Sequence, residues 1–259
     1  MKVLILDSAD AAAARVADIV AEALARRPAS VLGLATGETM RPVYARLVAL
    51  HRAGRADFAG ASTFNLDEYV GVAPDHPASF NAFMRATLFD LVNLDPARCH
   101  LPRGDAPDPE AEALAYEQAI AAAGGIDLQL LGIGRNGHLA FNEPTSSFAS
   151  RTRIKTLTEA TRTANAPAFA PDPVPRHAIT MGIATILEAR ACVLLATGAS
   201  KAGAVARMVE GALGADCPAT ALQLHPAATV VLDREAASRL ELREYYETVH
   251  PGGAEARLD

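Results

Sequence analysis

His138 is the first residue of this sequence whose surroundings indicate chemistry, because it lies in a glycine-rich segment that ends near a carboxylate. The segment reads GIGRNGHLAFNEP over residues 132–144, so Asn136 and Glu143 flank the histidine. Histidine exchanges protons near neutral pH, and a neighbouring acid or amide can orient its ring. A lone histidine is more often structural, but the glycines and the acid favour an acid–base role here.

The same glycines match G-x-G-x-x-G, a pattern found in dinucleotide-binding proteins. That pattern requires a full helix directly after the third glycine, within a βαβ unit. Pro144 would end a helix that starts after Gly137 within about two turns. We therefore attribute the glycines to a backbone that passes close to a substrate, and a nicotinamide-dependent oxidoreductase is disfavoured.

Two similar turns, each predicted to connect a strand to a helix, have the composition of anion-binding loops. The first reads LATGET over residues 34–39, and the second reads LATGASK over residues 195–201. Glycine allows the sharp turn, and the free N–H groups at a helix start attract anions. Lys201 adds a positive charge to the second turn. Glu38 would repel a bound phosphate at the first turn unless its side chain points away.

An acidic pair in the string NLDEY, residues 65–69, follows another predicted strand. Carboxylates at strand ends are often solvated and without a role. Open α/β sheets, however, bind ligands at the carboxyl ends of their strands, where the histidine segment and the two turns are also expected. This position makes Asp67 a candidate general base. We interpret His76 and His225 as structural residues.

Short apolar runs alternate with alanine-rich stretches of helical period along the 259 residues. The runs are continuously apolar, as expected when helices cover both faces of a sheet. The alternation predicts an α/β fold, a doubly wound, mostly parallel sheet in a single domain over residues 1–259. Four prolines between Ala166 and Pro175 predict an irregular surface loop or lid. The predicted strands are Val3–Leu6, Val31–Leu34, Ser62–Leu66, Leu128–Leu131, Cys192–Ala196 and Thr229–Leu232. The predicted helices are Ala9–Arg27, Met40–Ala53, Ser79–Phe89, Pro109–Ala123 and Lys201–Gly211.

The composition argues against several classes of partner. A formal net charge of −6 without a basic stripe disfavours nucleic acid. No apolar run approaches the roughly 20 residues of a membrane-spanning helix. Asp7 interrupts the amino terminus too early for a signal peptide, and three cysteines without metal or disulfide spacing indicate a reducing compartment. We therefore expect a cytoplasmic globular protein.

These segments resemble the glucosamine-6-phosphate deaminase (isomerase) family over nearly the whole chain. The most specific matches are the strings TFNLDEYVG at residues 63–71 and GHLAFNEP at residues 137–144, supported by SRTRIKTLT at 150–158 and LQLHP at 222–226. The resemblance implies a reaction in which glucosamine 6-phosphate and water give fructose 6-phosphate and ammonia. It implies a small amino-sugar phosphate as the ligand and no metal or organic cofactor.

The resemblance also implies a role for each candidate residue. His138, assisted by Glu143, would move protons to open the sugar ring, and Asp67 would carry a proton from C2 to C1. Asn136 stands where many members have aspartate, so it would orient the ring without supplying charge. The residues expected to bind the phosphate are Thr36, Gly37, Glu38, Thr39 and Lys201.

Two further departures from the family pattern fall on the phosphate end of the substrate. Pro167 stands where many members have an arginine that clamps the phosphate, and Arg162 and Arg176 are candidate substitutes. Glu38 and Met40 replace the glycine and proline that are usual in the phosphate loop. These changes leave the identity of the sugar phosphate less determined than the type of reaction.

Some relatives are activated by an acetylated amino-sugar phosphate at a subunit interface. Three residues of this sequence match that site, so a regulated homo-oligomer is one candidate state of the protein. The usual tyrosine has no clear counterpart near Tyr245 and Tyr246, and the charged matches could equally be solvated surface residues. The candidate effector-binding residues are Ser146, Arg153 and Lys155.

Three alternative functions remain open at this stage. A galactosamine-6-phosphate deaminase would use the same residues on an epimer of the substrate. A 6-phosphogluconolactonase shares the glycine–histidine turn, but the string FNEP favours the deaminases. A sugar-phosphate-sensing half of a transcriptional regulator is disfavoured, because Asp67, His138 and Glu143 are retained and the chain begins on a predicted strand.

Overall fold

Strands and helices alternate along the chain in a computed structural model, which describes residues 1–254. Residues 255–259 of the predicted domain lie outside the described part. The strands are β1 (Lys2–Leu6), β2 (Val31–Leu34), β3 (Ser62–Asn65), β4 (Asp67–Tyr69), β5 (Cys99–His100), β6 (Leu128–Leu131), β7 (Arg153–Thr156), β8 (His177–Thr180), β9 (Ala191–Ala196) and β10 (Ala228–Asp233). The α-helices are α1 (Ala9–Arg26), α2 (Arg41–Arg52), α3 (Phe80–Thr87), α4 (Pro109–Ala122), α5 (Glu159–Phe169), α6 (Ile183–Leu187), α7 (Ala202–Glu210) and α8 (Arg243–Val249).

The main sheet is parallel, with the strand order β1-β10-β9-β6-β2-β3-β5 across residues 1–254. From β2 the chain builds outward through β3 and β5, and from β6 it builds in the opposite direction through β9 and β10. Such a reversal leaves a crevice at the carboxyl ends of the central strands. The predicted α/β, doubly wound, mostly parallel sheet is therefore confirmed.

The core of the fold lies between the main sheet and its helices. No residue of β2 or β6 is exposed, because helices cover the sheet. Helix α1 begins directly after Ser8, whose hydroxyl accepts the N–H of Ala11, and it buries Val16 and Val20 at helical spacing. Each such buried side chain contributes about 1.5–3 kcal/mol to folding. No helix within residues 1–254 is both long and apolar enough to cross a bilayer.

A second, antiparallel sheet is the main feature that the hydrophobic pattern did not predict. Strand β4 pairs with β8, and β8 pairs with β7. These strands are three or four residues long, and β7 has no fully buried residue, so little in their local pattern distinguishes them from loops. Strand β3 ends at Asn65 and β4 begins at Asp67, so Asp67 stands where the chain leaves the main sheet.

The loop predicted from Ala166 to Pro175 is wrong in its first part, because helix α5 continues to Phe169 with Pro167 inside it. The helix begins after Thr158, whose hydroxyl accepts the N–H of Thr161. The following residues, 170–176, have no helix or strand. No helix follows Gly137 before Pro144; instead, Leu139 and Asn142 form an isolated antiparallel bridge across a turn.

Candidate active site

A cavity of about 780 Å³ lies at the carboxyl edge of the neighbouring strands β9, β6, β2 and β3. Parallel strands bring the segments that follow them to one edge, so residues far apart in sequence meet there. Glu143 lies behind His138 and does not line the wall. The predicted residues that line the cavity are Thr36, Gly37, Glu38, Thr39, Asp67, Asn136, His138 and Lys201.

Asp67 presents a buried carboxyl group to this cavity. The residue is 5% exposed, and within residues 1–254 its carboxyl oxygens accept no hydrogen bond and form no ion pair. Burial, followed by the charge of Glu68, raises the pKa of Asp67 well above its ordinary value. A carboxylate without donors is a stronger base than one in water. The geometry is therefore that of a proton acceptor.

Glu68 has a different role, because its carboxylate holds the start of helix α3. Its oxygens accept the N–H groups of Phe80 at 3.1 Å and Asn81 at 3.0 Å, as well as that of Tyr69 at 2.9 Å. Burial raises the pKa of Glu68 to about 7, although these backbone hydrogen bonds oppose the effect. Phe80 lines the cavity, so Glu68 positions part of its wall. No pattern in the sequence indicates this role for Glu68.

The ring of His138 packs directly against Gly134. A Cβ atom on Gly134 would overlap the imidazole, so only glycine fits here. The turn closes through the N–H of Gly134, which donates to the His138 carbonyl at 2.9 Å. The Nδ1 atom of His138 is buried and lies 3.5 Å from Oε2 of Glu143. This orientation leaves Nε2 as the ring nitrogen for a ligand.

Glu143 is a buried carboxylate whose two oxygens face different partners. Oε2 accepts the amide of Asn136 at 2.8 Å and faces His138, whereas Oε1 accepts the hydroxyls of Thr158 at 3.1 Å and of Thr161. Burial alone would raise the pKa of Glu143, but contacts with His138, Thr161 and Asn136 outweigh it and lower the pKa to about 2. Glu143 is therefore an anion at neutral pH.

Asn136 acts on the histidine differently from the expectation. Its amide oxygen accepts the backbone N–H of His138 at 3.2 Å, and its NH₂ group donates to Glu143. No hydrogen bond joins Asn136 to the imidazole ring within the described residues. The expectation that it orients the ring directly is wrong. Instead, Asn136 orients the carboxylate and the backbone on either side of the ring.

The first predicted phosphate loop is open towards the cavity. Gly37 has a positive φ of 107°, which turns the chain sharply before a short 3₁₀ helix. Among residues 1–254, no acceptor forms a hydrogen bond with the backbone N–H groups of Gly37, Glu38 or Thr39. The side chain of Glu38 is 84% exposed and pairs with Arg41 at 2.8 Å. Glu38 thus points away, and the N–H groups remain available to an anion.

The second predicted phosphate loop is already filled by the protein's own carboxylates. The N–H of Gly198 donates to both oxygens of Asp233, at 3.0 and 3.1 Å, and that of Ala199 donates to Glu235 at 3.3 Å. The prediction of free backbone donors at this turn is therefore wrong. Lys201 alone reaches the cavity, with Nζ bound to the carbonyl of Ile133 at 2.7 Å.

Arg135 is a cavity residue that the sequence analysis missed, although it lies inside the histidine segment. It is exposed, and no hydrogen bond or ion pair engages its side chain in the described part of the chain. Burial, and then the charge of Arg135, lower the pKa of Lys201, so the two cations are close. Arg162 and Arg176, the expected substitutes for the missing arginine, do not line this cavity.

The candidate effector residues lie away from this cavity. Arg153 lines a second cavity of about 640 Å³ beside helix α4, and burial lowers the pKa of its guanidinium. Ser146 is buried with an unpartnered hydroxyl, and neither it nor Lys155 lines either cavity. An effector site formed by these three residues stays a prediction.

The two histidines interpreted as structural make local backbone contacts. Nε2 of His225 lies 2.8 Å from the Ala189 carbonyl, and its Nδ1 accepts the N–H of Ala227 at 3.0 Å. His76 accepts the N–H of Ala78 at 3.1 Å. Neither residue lines the cavity. Both interpretations are consistent with these contacts.

The fold and the cavity agree with a family match over residues 6–231, to the glucosamine-6-phosphate isomerases/6-phosphogluconolactonase. The chain belongs to this family. It is 53% identical over 247 residues to the glucosamine-6-phosphate deaminase of Shewanella loihica, covering 95% of this chain and 92% of the relative. It is also 53% identical over 250 residues to that of Hahella chejuensis, covering 96% and 95%.

Among solved structures, a deaminase is more similar to this chain in sequence than a 6-phosphogluconolactonase is. A monomeric glucosamine-6-phosphate deaminase matches with a TM-score of 0.90 and 46% identity, covering 92% of this chain and 100% of that one. The 6-phosphogluconolactonase from Trypanosoma brucei matches with a TM-score of 0.72 and 22% identity, covering 92% and 98%. The latter similarity shows the shared fold alone.

Proposed function

We propose that this chain converts glucosamine 6-phosphate and water into fructose 6-phosphate and ammonia. One observation carries the proposal: the unpaired carboxyl of Asp67 and the ring of His138 face the same cavity as an open anion-binding loop. Identity of 53% to two deaminases over nearly the whole chain supports an amino sugar as the substrate. The same reaction on the galactosamine epimer is the alternative.

Ring opening is assigned to His138. Because Nδ1 is buried beside Glu143, we assign the proton transfer to Nε2, which takes the proton of the sugar's C1 hydroxyl and returns a proton to the ring oxygen as the C1–O bond breaks. The imidazolium formed between these steps lies 3.5 Å from the Glu143 carboxylate, which stabilises its charge. General acid–base catalysis of this kind typically contributes ~10²–10⁴-fold.

The isomerisation step is assigned to Asp67. Its carboxylate takes the proton from C2 of the open-chain aldose and returns it at C1, while a proton passes from the amino group to the C1 oxygen, which leaves an imine at C2. Water adds to the imine, and ammonia leaves, so the atoms of substrate and water are all accounted for in the two products. The ammonium group of the incoming substrate favours the ionised form of Asp67, because an opposite charge lowers a carboxyl pKa.

The phosphate is assigned to the backbone donors of Gly37, Glu38 and Thr39, with Thr36 and Lys201 beside them. Arg135 supplies a second cation and takes over the role of the phosphate-clamping arginine that many members have at the position of Pro167. Arginine pairs with phosphate through charge-assisted hydrogen bonds. Because Arg135 has no partner within residues 1–254, it is free to take this role.

Arg135→Gln is expected to raise the KM for glucosamine 6-phosphate about tenfold with a smaller change in kcat, since one charge-assisted contact is lost in both ground and transition states. Steady-state kinetics and competition by inorganic phosphate measure the effect. Arg103→Gln is the matched control, because Arg103 pairs with Asp105 away from the cavity. An unchanged KM and unchanged phosphate competition would remove Arg135 from the phosphate site.

The proposed reaction is tested by ammonia release from the purified chain without added cofactor. Glucosamine 6-phosphate, galactosamine 6-phosphate and 6-phosphogluconolactone are compared side by side. We expect release from glucosamine 6-phosphate, with fructose 6-phosphate as the second product. Faster release from the galactosamine epimer would assign the epimer instead. Hydrolysis of the lactone without ammonia from either amino sugar would contradict the proposal.

We place the enzyme in the cytoplasm as a single domain acting on a small molecule, without nucleic-acid or membrane partners. We expect it to be a homo-oligomer if the effector residues are used. The solved deaminase relative is described as monomeric. Light scattering with and without an acetylated amino-sugar phosphate distinguishes a monomer from a homo-oligomer.

A further inference from the structure

The two oxygens of Glu143 connect the catalytic turn to helix α5. Oε2 faces Asn136 and His138, and Oε1 receives the hydroxyls of Thr158 and Thr161 from the start of the helix. No arginine or lysine pairs with this buried carboxylate among residues 1–254. The anion therefore depends on neutral donors and on the positive end of helix α5.

Thr161 is the stronger of the two hydroxyl donors. The Thr158 hydroxyl has a single proton and two acceptors in range, Glu143 at 3.1 Å and the Thr161 oxygen at 3.0 Å. The hydroxyl of Thr161 has one acceptor, the Glu143 carboxylate, and the residue is 7% exposed. A buried charge-assisted hydrogen bond of this kind fixes the orientation of the carboxylate.

Helix α5 also forms one wall of the cavity. Its residues Ala160, Thr161, Ala164 and Asn165 line the space that the substrate would occupy. Thr161 is therefore in contact with both the cavity and Glu143. A displacement of the start of the helix would move the wall and release Oε1 at the same time.

We propose that Thr161, supported by Thr158, is a positioning residue that keeps Glu143 turned towards His138, so that acid–base chemistry at His138 requires helix α5 in its place. This inference rests on the proposed function, in which His138 opens the sugar ring. The hydrogen bond from Thr161 to Oε1 of Glu143 fixes the position of Oε2, and therefore of its negative charge, beside the imidazole. Losing the bond leaves the carboxylate held beside the imidazole only by Asn136 and Thr158.

The test compares Thr161→Val, which removes the hydroxyl and keeps the shape, with Thr161→Ser, which keeps the hydroxyl. Thr163→Val is the matched control, because Thr163 is exposed on the same helix and contacts neither Glu143 nor the cavity. We expect Thr161→Val to lower kcat about tenfold, the effect of losing ~1.4 kcal/mol of transition-state stabilisation. KM should change less, Thr161→Ser should restore kcat, and Thr163→Val should match the wild type.

A second readout needs no substrate. The ring ¹⁵N signals of His138, followed by NMR of ring-labelled histidine and assigned with His138→Gln, should shift in Thr161→Val, because the carboxylate 3.5 Å from Nδ1 is no longer held by the Thr161 hydroxyl. The other charged residues that line the cavity are unaltered in this variant; they are Asp67, Glu38, Arg135 and Lys201.

Unchanged ring signals of His138 and an unchanged kcat in Thr161→Val would overturn the inference. Thermal unfolding checks that the variant is folded. If it is not, Thr158→Val gives the same comparison with a smaller shift, and no shift there would also overturn the inference. Absence of ammonia release from the wild type would contradict the proposed function, while the ring signals of His138 would still decide the role of Thr161.

Discussion

Asp67→Asn is expected to abolish turnover of glucosamine 6-phosphate and solvent exchange at C2, while leaving substrate binding largely intact. An amide has the shape of the carboxyl group but does not accept a proton from carbon. The expected loss in kcat is ~10²–10⁴-fold or more, the usual contribution of a general base. Incorporation of deuterium from D₂O measures the exchange, and equilibrium dialysis with radiolabelled substrate measures binding.

A matched control separates this effect from any general effect of the substitution. Asp75→Asn makes the same change at an exposed aspartate that does not line the cavity. It should retain wild-type kcat and exchange. Retained exchange in Asp67→Asn would exclude Asp67 as the base, and loss of binding in that variant would indicate that the carboxylate holds the substrate instead.

The same substitution is expected to stabilise the fold near neutral pH. Burial and the charge of Glu68 raise the pKa of Asp67, so folding favours the protonated carboxyl. This contribution is complete below the ordinary carboxyl pKa of about 4 and is lost as pH rises towards the raised pKa of the folded state. Asp67→Asn should therefore unfold at a higher temperature than the wild type at pH 7, and the difference should shrink towards pH 4. A lower unfolding temperature at pH 7 would contradict this.

Gly134→Ala is expected to lower kcat about 100-fold, because a displacement of a catalytic group by about 1 Å can lower the reaction rate by about this factor. The added Cβ would overlap the imidazole of His138, so the ring must leave its place beside Glu143. The turn itself has no other reason to unfold, since Gly134 does not have a positive φ. Steady-state kinetics measure the loss, and thermal unfolding shows whether the fold is retained.

Gly132→Ala is the control in the same segment. A Cβ on Gly132 meets only the Met40 methyl group, at 3.8 Å, an ordinary contact. We expect less than about a tenfold change in kcat there, since no overlap with the histidine arises. Equal kcat in the two variants would show that close packing on Gly134 does not position His138.

Much of the fold follows from local pattern. The predicted α1, Ala9–Arg27, and the predicted β6, Leu128–Leu131, agree with the structure to within one residue. Periodic burial and end-capping residues are properties of neighbouring positions, so they are readable in one sequence. Because the strands are parallel, the shared edge of Asp67 and His138 also followed from the order of segments along the chain.

Other features depend on contacts between distant parts of the chain. The two turns at residues 34–39 and 195–201 look alike in sequence, yet only the second receives Asp233 and Glu235 from a neighbouring strand end. Strands β4, β7 and β8 are too short to show a pattern, and pairing alone defines them. That Arg135 lines the cavity with no partner among residues 1–254 is known only from the folded chain.

Residue type and order are enough to predict the class of fold, the edge at which the candidate site lies and the candidate acid–base residues. How those residues are held follows only from the folded chain. The tertiary structure placed Gly134 under His138, turned Asn136 to Glu143 instead of the ring, and brought Thr161 to the far oxygen of that carboxylate. Hydrogen bonds between separate segments have no local signature, so only the folded chain reveals which donor meets which acceptor.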